Sequence, residues 1–575
     1  MGAFAIVRKG PRAEERLGRM QAALERRGFG PFRRLDLVQH SLILAGKLVS
    51  PNDNIHEEGG DFAAAVGTLF YAGRHGTEAL AKLLADARAG AIDERKLLGC
   101  YCVVMGLAGR LGLFIDALGA YKVYRTDDGE IWSNSFLACV AALDRRRFDD
   151  QAIYEYVFQG ATYGGASLVD GISIIGPEHH HMLAPDTVAE KRIAPPQAAV
   201  RRLPLEEHVE AALQTLRPYF KVIARAYGDR IDTALSGGYD SRLTLALLRE
   251  QGVTPRIHVY GREGDADVRV AKAIAAGEGF PLKHEDKQAL GDNSPEGVAK
   301  AVAAQFQAFD GWPPDGIIGN GSDFATRTLR TVGHVLALNG GGGEIFRNFF
   351  YLPDRPFTTR DLVCTFYSQF DPRVATPRFN EARYQDVMAD KIGSIFGPGR
   401  TRLSRAEVEF VYPGFRGRFW TGFNTTLNNH LGPALTPFFE RSVVEQALSI
   451  PLSLKNHGIF EAALIAAIDP KLAAYPSAYG HDFATPPPVG RRLSDWLTYL
   501  RPPQLRRLAY RVKNRARKRV LPRIMQPEFR RHYLPGGFPV MDNYFRTELV
   551  VDSEQMGRIM TLEYLARECG IEPGS

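Results

Sequence analysis

The sequence predicts an α/β protein in two unequal parts. The first is β-rich, about 200 residues long and built from antiparallel strands; the second places strands and helices in alternation around a parallel sheet and ends in helices. Three observations lead there. Residues 1–200 carry short apolar or β-branched runs bounded by Gly and Asp, the pattern of strands joined by tight turns. From about residue 205 helical spacing alternates with short strands, which implies parallel pairing. Between one such strand and its helix stands a glycine turn, Ser236-Gly237-Gly238-Tyr239-Asp240-Ser241.

The elements follow in order. The start, Met1-Gly2-Ala3-Phe4-Ala5-Ile6-Val7, is apolar, with Arg8, Lys9 and Arg12 after it. A secretory signal places its charge first and then a longer apolar run, so none is expected. Myristoylation at Gly2 wants Ser or Thr where Ile6 stands. Leu98 to Met105, Leu111 to Ile115 and Ile131 to Ser133 read as strands. Pro195, Pro196, Arg201 and Arg202 mark a linker. Leu205 to Tyr227 has apolar residues at three- and four-residue intervals and predicts a helix. Ile231–Leu235 is a strand, Ser241–Glu250 a helix, Arg256–Tyr260 a strand, Val268–Gly277 a helix and Val335–Leu338 a strand. Beyond 400 the pattern is mainly helical.

With 575 residues the chain exceeds one ordinary domain. The expected units are 1–200, 205–500 and a basic helical extension over 501–575. Composition is that of a folded protein, 45% hydrophobic and 24% charged. A net charge of +7 over this length does not by itself imply nucleic acid. No run of about 18 uncharged apolar residues exists, so no membrane span is expected and the chain is placed in the cytoplasm. Five scattered cysteines show neither zinc spacing nor a disulfide framework, and Cys100 and Cys102 read as strand core.

The glycine turn carries the chemistry. Two glycines permit tight geometry and close approach of a ligand. The helix that follows turns its N–H groups and the positive end of its dipole toward an anion. Ser236 and Ser241 add hydroxyl donors, and Asp240 suits a divalent cation bridging phosphate oxygens. The Walker loop needs Gly-x-x-x-x-Gly-Lys and is not present here. The segment instead matches the Ser-Gly-Gly-x-Asp-Ser loop of the ATP pyrophosphatase class, whose members cleave ATP between the α and β phosphates. Ser236, Gly237, Gly238, Tyr239, Asp240 and Ser241 are therefore the expected nucleotide contacts.

Further along come Asn339-Gly340-Gly341-Gly342-Gly343-Glu344, Pro437-Phe438-Phe439-Glu440 and Ile450-Pro451-Leu452-Ser453-Leu454-Lys455. With the loop, this order of parts resembles the asparagine synthetase family, which includes β-lactam synthetases and lasso peptide cyclases. The likeness runs over roughly 1–480. It implies an N-terminal nucleophile-hydrolase-like αββα sandwich before the ATP pyrophosphatase domain. Gly67 to Tyr71 resembles the family's glutamine-binding stretch, and Phe114 to Gly119 with Val123-Tyr124 its Asp-x-x-Gly and Tyr strand. The family's glutaminase exposes Cys at position 2, whereas this chain has Gly2, and no other cysteine precedes Cys100. A glycine offers no nucleophile. The resemblance therefore implies a synthetase without a glutaminase, using free ammonia or a substrate amine.

In the second part the resemblance assigns Gly340 and Gly342 to the nucleotide site and Glu344, in place of Asp, to Mg²⁺ beside Asp240. It puts Val259 and Tyr260 near the adenine, and Asp265 and Asp267 where the family has acids. The family's lysine in a Gly-x-x-Lys pattern is Glu461 here, after Gly458. Arg242, Arg347 and Lys455 are the candidates to supply that charge.

The chain is thus expected to be an ATP- and Mg²⁺-dependent ligase. It would adenylate a small-molecule or peptide carboxylate and form an amide with an amine acceptor. Two rivals stand beside this: a non-catalytic homologue that keeps nucleotide binding, and an adenylating enzyme acting on RNA. A homodimer is a further expectation. His179-His180-His181 resembles a metal tract, but adjacent residues of a strand point to opposite faces. Residues 501–532 hold twelve Lys or Arg against Glu528 alone, which marks a charged helix or a contact for an anionic partner.

Overall fold

The computed structural model describes the chain apart from residues 53, 178, 184–187, 193, 194, 197, 516, 517 and 575. The side chains of 179–183, 188–192 and 515 also lie outside the description, so the faces taken by His179, His180 and His181 are not assigned.

Two antiparallel sheets pack face to face in the first 200 residues. One runs Ile172–Ile174, Tyr124–Thr126, Ile131–Ser133, Ala3–Arg8, His40–Ala45, Phe32–Asp36. The other is centred on Asp61–Tyr71, Leu97–Leu107 and Arg110–Ile115. The long strands are buried on both faces, which is why they read as continuous apolar runs. In them Ala64, Val66, Cys100, Cys102 and Val104 point to the other sheet. Ala63, Ala65, Tyr101, Val103 and Met105 point to Leu80, Leu83 and Leu84 of the helix Gly76–Arg88. Helices Ala13–Arg26 and Phe136–Ala142 cover the first sheet, completing an αββα sandwich.

The second part is built on a five-stranded parallel sheet. Its order is Lys283–Glu285, Arg256–Tyr260, Ile231–Ala234, Leu336–Leu338, Ala434–Leu435. Ile231–Ala234 lies at the centre, paired with Arg256–Tyr260 on one side and Leu336–Leu338 on the other. Ile257 and Val259 pack with Leu245, Val268, Ala271 and Ile274 of the helices Tyr239–Glu250 and Ala266–Glu278. The helix Leu205–Tyr227 spans the predicted residues. The two outer strands, three and two residues long, were not expected from the sequence.

The C-terminal stretch departs from the expected extension. Residues Ser553–Cys569 form a helix buried along most of its length. Arg558 donates to the carbonyls of Pro314 (2.8 Å) and Val157 (3.3 Å), and the chain end pairs Glu572 with Arg147. Apolar groups at Met556, Ile559, Met560, Leu562 and Leu565 give this helix a core role that the basic run before it hides in the sequence. The exposed basic character is confined to the residues upstream.

Candidate functional site

The central strand Ile231–Ala234 delivers the chain to the glycine turn at its carboxyl end, where ligands of parallel sheets bind. The turn is held by its own hydroxyls. The Ser236 N–H donates to Ser241 Oγ (3.0 Å), the two hydroxyls lie 3.0 Å apart, and the Gly238 N–H donates to Ser236 Oγ (3.2 Å). The Gly237 N–H donates to Asp267 Oδ1 (2.9 Å), at the start of the next helix. The Gly237 carbonyl accepts from the Ala478 N–H (3.0 Å). A β-carbon at Gly237 would lie 2.5 Å from Ala478 Cβ, so only glycine fits beneath this crossing.

Asp240, on the first turn of the helix Tyr239–Glu250, meets the second glycine run. A β-carbon at Gly340 would approach the Asp240 carbonyl to 3.0 Å, and one at Gly343 would lie 2.7 Å from Glu461 Oε1 and 2.8 Å from Asp240 Cγ. Gly342 takes a φ of +98°, in the left-handed region glycine favours. These glycines let three carboxylates converge on one guanidinium. Arg347 Nη2 lies 2.6 Å from Asp240 Oδ1 and 3.8 Å from Glu344 Oε1, and its Nε lies 2.9 Å from Glu461 Oε2. The last contact is an ion pair by distance only: neither Arg347 Nε nor either Glu461 oxygen makes a hydrogen bond. Glu344 accepts from the Tyr412 hydroxyl (2.7 Å) and the Gly342 N–H (3.1 Å).

The cluster's charges are set by burial and crowding. Burial, above all, pushes Asp240 up to about 7; Arg347 opposes that shift and the neighbouring Glu344 adds to it. Burial and the nearby Asp240 raise Glu461 well above the ordinary carboxylate range. At Glu344 burial is outweighed by Arg347 and the Tyr412 hydroxyl, and its carboxyl falls below its ordinary value. For Arg347 the three acids outweigh burial and hold the guanidinium charged.

Mg²⁺ in nucleotide sites takes one or two carboxylates plus phosphate oxygens and water. Asp240 and Glu344 supply such a pair, and the orphaned oxygens of Glu461 add hard donors beside them. The donor set fits the ion. Among the described residues no group of three or more acidic, His or Cys side chains is already arranged as a cage.

The other predicted residues fall elsewhere. Lys455 is 1% exposed and paired with Glu409 (2.8 Å), away from the loop. The fully buried Arg242 donates to the carbonyls of Tyr475 (2.8 Å) and Pro476 and lies over the ring of Phe483, 4.6 Å from its centroid. Neither group joins the carboxylate cluster, so of the three candidate bases only Arg347 does. Val259 is 3% exposed and packs under the helix Ala266–Glu278. Its neighbours His258 and Tyr260, on the opposite face, line a cavity of about 360 Å³ with Asp232, Glu285, Thr326 and Arg330. Sequence reading missed Tyr412, which no motif marks, and Gly343, which stands in the glycine run without an assigned role.

In the first part, the Gly2 N–H donates to the Ala45 carbonyl (2.8 Å). A β-carbon at Gly2 would lie 2.6 Å from Gly46 O and 2.6 Å from Lys47 Cα. Backbone thus occupies the space of any side chain there. Thr68 Oγ1 donates to Asn429 (2.8 Å) and accepts from the Ala434 N–H (3.1 Å), tying the stretch to the parallel sheet.

No family model and no curated protein matches the chain. Solved structures with a partial likeness include a glutamine phosphoribosylpyrophosphate amidotransferase from B. subtilis complexed with ADP and GMP. It shows 10% identity and a TM-score of 0.24, over 51% of this chain and 67% of that one. A second, described as the allosteric regulatory enzyme of purine biosynthesis, shows 12% identity and a TM-score of 0.25, over 51% of this chain and 82% of that one. A likeness this slight says nothing about what this chain does.

Proposed function

We propose that the chain is an ATP-dependent ligase that adenylates a carboxylate and passes the acyl group to an amine, without hydrolysing glutamine itself. One observation carries the reading. The Ser236–Ser241 turn stands at the carboxyl end of the central parallel strand, with Asp240, Glu344 and Arg347 gathered beside it. Phosphate oxygens at the helix N-terminus would take over the Gly237 N–H from Asp267, and the Gly238 N–H and the two serine hydroxyls from their bonds to one another. Asp240 and Glu344 would hold Mg²⁺, which when bound neutralises charge on the phosphates. The substrate carboxylate attacks the α-phosphorus and pyrophosphate leaves; the amine then attacks the acyl-adenylate carbonyl and AMP leaves. Arg347 is the cation for the charge that develops, taking the part the resemblance expects of a lysine at position 461. Ammonia from a glutaminase is no part of this reading, because Gly2 has neither a side chain nor room for one.

A chain that kept the fold without turnover is favoured by one feature: Asp267 and Ala478 already engage both backbone groups of Gly237. ATP–pyrophosphate exchange against pools of carboxylic acids separates the readings. Carboxylate-dependent exchange in the wild type that vanishes in Asp240→Ala is the expected result. No exchange with any pool, together with no ATP binding by calorimetry, overturns the ligase; exchange dependent on RNA moves it to another substrate class.

A further inference from the structure

Half of the large apolar side chains exposed among the described residues fall within 489–520. The helix Val489–Leu500 has no buried residue. Its Val489, Leu493, Trp496, Leu497 and Leu500 follow i, i+4, i+7, i+8, i+11 spacing and share one face. Trp496 is 52% exposed and Leu500 59%. The polar side rests on the body of the protein: Asp495 pairs with His457 (2.8 Å), and Tyr499 stacks on Tyr351. The apolar face is therefore turned to solvent.

The next helix, Pro503–Arg515, repeats the arrangement. Arg506 donates to the carbonyls of Phe350 and Tyr351, Arg511 pairs with Glu381, and Leu505, Leu508 and Val512 are at least half exposed. Residues 489–520 carry eleven Lys or Arg and one acid, Asp495, which His457 already occupies. Arg492, Arg501, Lys513 and Lys518 are exposed.

We propose that the paired helices Val489–Leu500 and Pro503–Arg515 form a docking surface for an anionic phospholipid bilayer. An apolar stripe with Trp and Leu, bordered by Arg and Lys, suits a helix lying in the headgroup boundary, where long cationic side chains reach phosphates while the stripe enters the acyl layer. Among the described residues no helix is long and apolar enough to cross a membrane, so the contact is interfacial. Charge chooses the occupant. A second copy docking on the same face would oppose two strongly cationic surfaces, whereas anionic lipid offers negative charge and hydrocarbon together. The proposal does not depend on the nucleotide reading.

Flotation of the full-length protein tests it, with vesicles of phosphatidylcholine alone and of phosphatidylcholine mixed with phosphatidylglycerol. The bound fraction is expected to be about tenfold higher or more on the anionic vesicles and to fall with added salt. Trp132 and Trp312 are buried and Trp420 is half-buried, so a blue shift of tryptophan emission on binding that is lost in Trp496→Phe reports on Trp496. Trp496→Glu with Leu500→Glu is expected to abolish binding, and Arg501→Glu with Lys513→Glu to remove the preference for anionic lipid. These positions are exposed, and an unchanged thermal transition shows that each variant is folded. Four results overturn the proposal: equal weak binding to both vesicles; binding that survives Trp496→Glu with Leu500→Glu; a wild-type dimer that this pair makes monomeric, without vesicle binding; and retention on an acidic polymer without vesicle binding.

Discussion

Arg347 and Glu461 show how a contact between distant positions hides from a motif search. The resemblance expects a lysine at 461; the chain has an acid there and a cation at 347, 2.9 Å away. Neither position marks the contact in the sequence, and only the distance shows that the acid and the half-buried cation meet beside Asp240. On the ligase reading, Arg347→Ala is expected to lower the exchange rate by about 10²–10³-fold, the cost of removing one preorganised charge from a transition state. Arg347→Ala with Glu461→Lys should recover part of that loss, as read in the same assay with thermal unfolding as the folding control. Glu440 gives a second prediction. Burial pushes its carboxyl up to about 8 from an ordinary 4.5, although the Gly99 and Arg441 N–H groups donate to it. Between those values the folded chain keeps a proton that the unfolded chain releases. Stability therefore falls as pH rises through that window, by at most about 1.4 kcal/mol per pH unit from this group. Glu440→Gln should flatten the difference between urea midpoints at the two ends of the window; an unchanged slope would show that Glu440 is ionised in the folded protein.

At the scale of elements, what local pattern encodes was legible and what tertiary contact creates was not. The helix Leu205–Tyr227 announces itself by its spacing, and the strands Arg256–Tyr260 and Ile131–Ser133 as short apolar or β-branched runs. Ala434–Leu435 is two residues long and becomes a strand only because Leu336–Leu338 offers it a parallel edge. Tyr412 opens a ten-residue π-helix, whose wider turn no spacing rule marks, and its hydroxyl reaches Glu344. The covering segment over the loop is equally silent in sequence. Tyr479 and Phe483 lie against Tyr239, and Arg242 binds the carbonyls of Tyr475 and Pro476 from below. Hydrogen bonds from a charged donor are worth about 1.5–3 kcal/mol each. Arg242→Met should therefore speed amide exchange across 475–483 by about tenfold or more, while the helix Tyr239–Glu250 keeps its protection. Peptide-resolved hydrogen exchange reads both, and equal acceleration in the two segments would mean that Arg242 supports the whole domain rather than the segment.

At the scale of the whole molecule, a boundary near residue 200 describes the chain order better than the packing. Arg27, in the sandwich, lies 2.9 Å from Asp310 of the second part, with side-chain exposures of 0% and 2%. Asp310 also accepts from Ser135 Oγ (2.8 Å) and from the N–H groups of Phe136 (2.6 Å) and Leu137 (3.1 Å), at the start of the helix Phe136–Ala142. Arg27 reaches on to His430, whose other ring nitrogen lies 3.3 Å from Asn134. Lys47 donates to Asn429 (2.9 Å to its carbonyl, 3.1 Å to Oδ1) and to the Gly432 carbonyl (3.2 Å). None of this is visible as a motif, because the partners lie hundreds of positions apart and each residue alone is ordinary. A buried pair adds little net stability when intact, but removing one partner leaves an uncompensated charge and costs about 3–5 kcal/mol. Asp310→Asn should therefore lower the urea midpoint of both parts together. Fluorescence of Trp132, in the sandwich, read in a chain with Trp312, Trp420 and Trp496 replaced by Phe, and far-ultraviolet dichroism of the whole chain are expected to follow one shared transition. Two separated transitions in the wild type would show that the sandwich unfolds on its own and that the Arg27–Asp310 contact does not couple the parts.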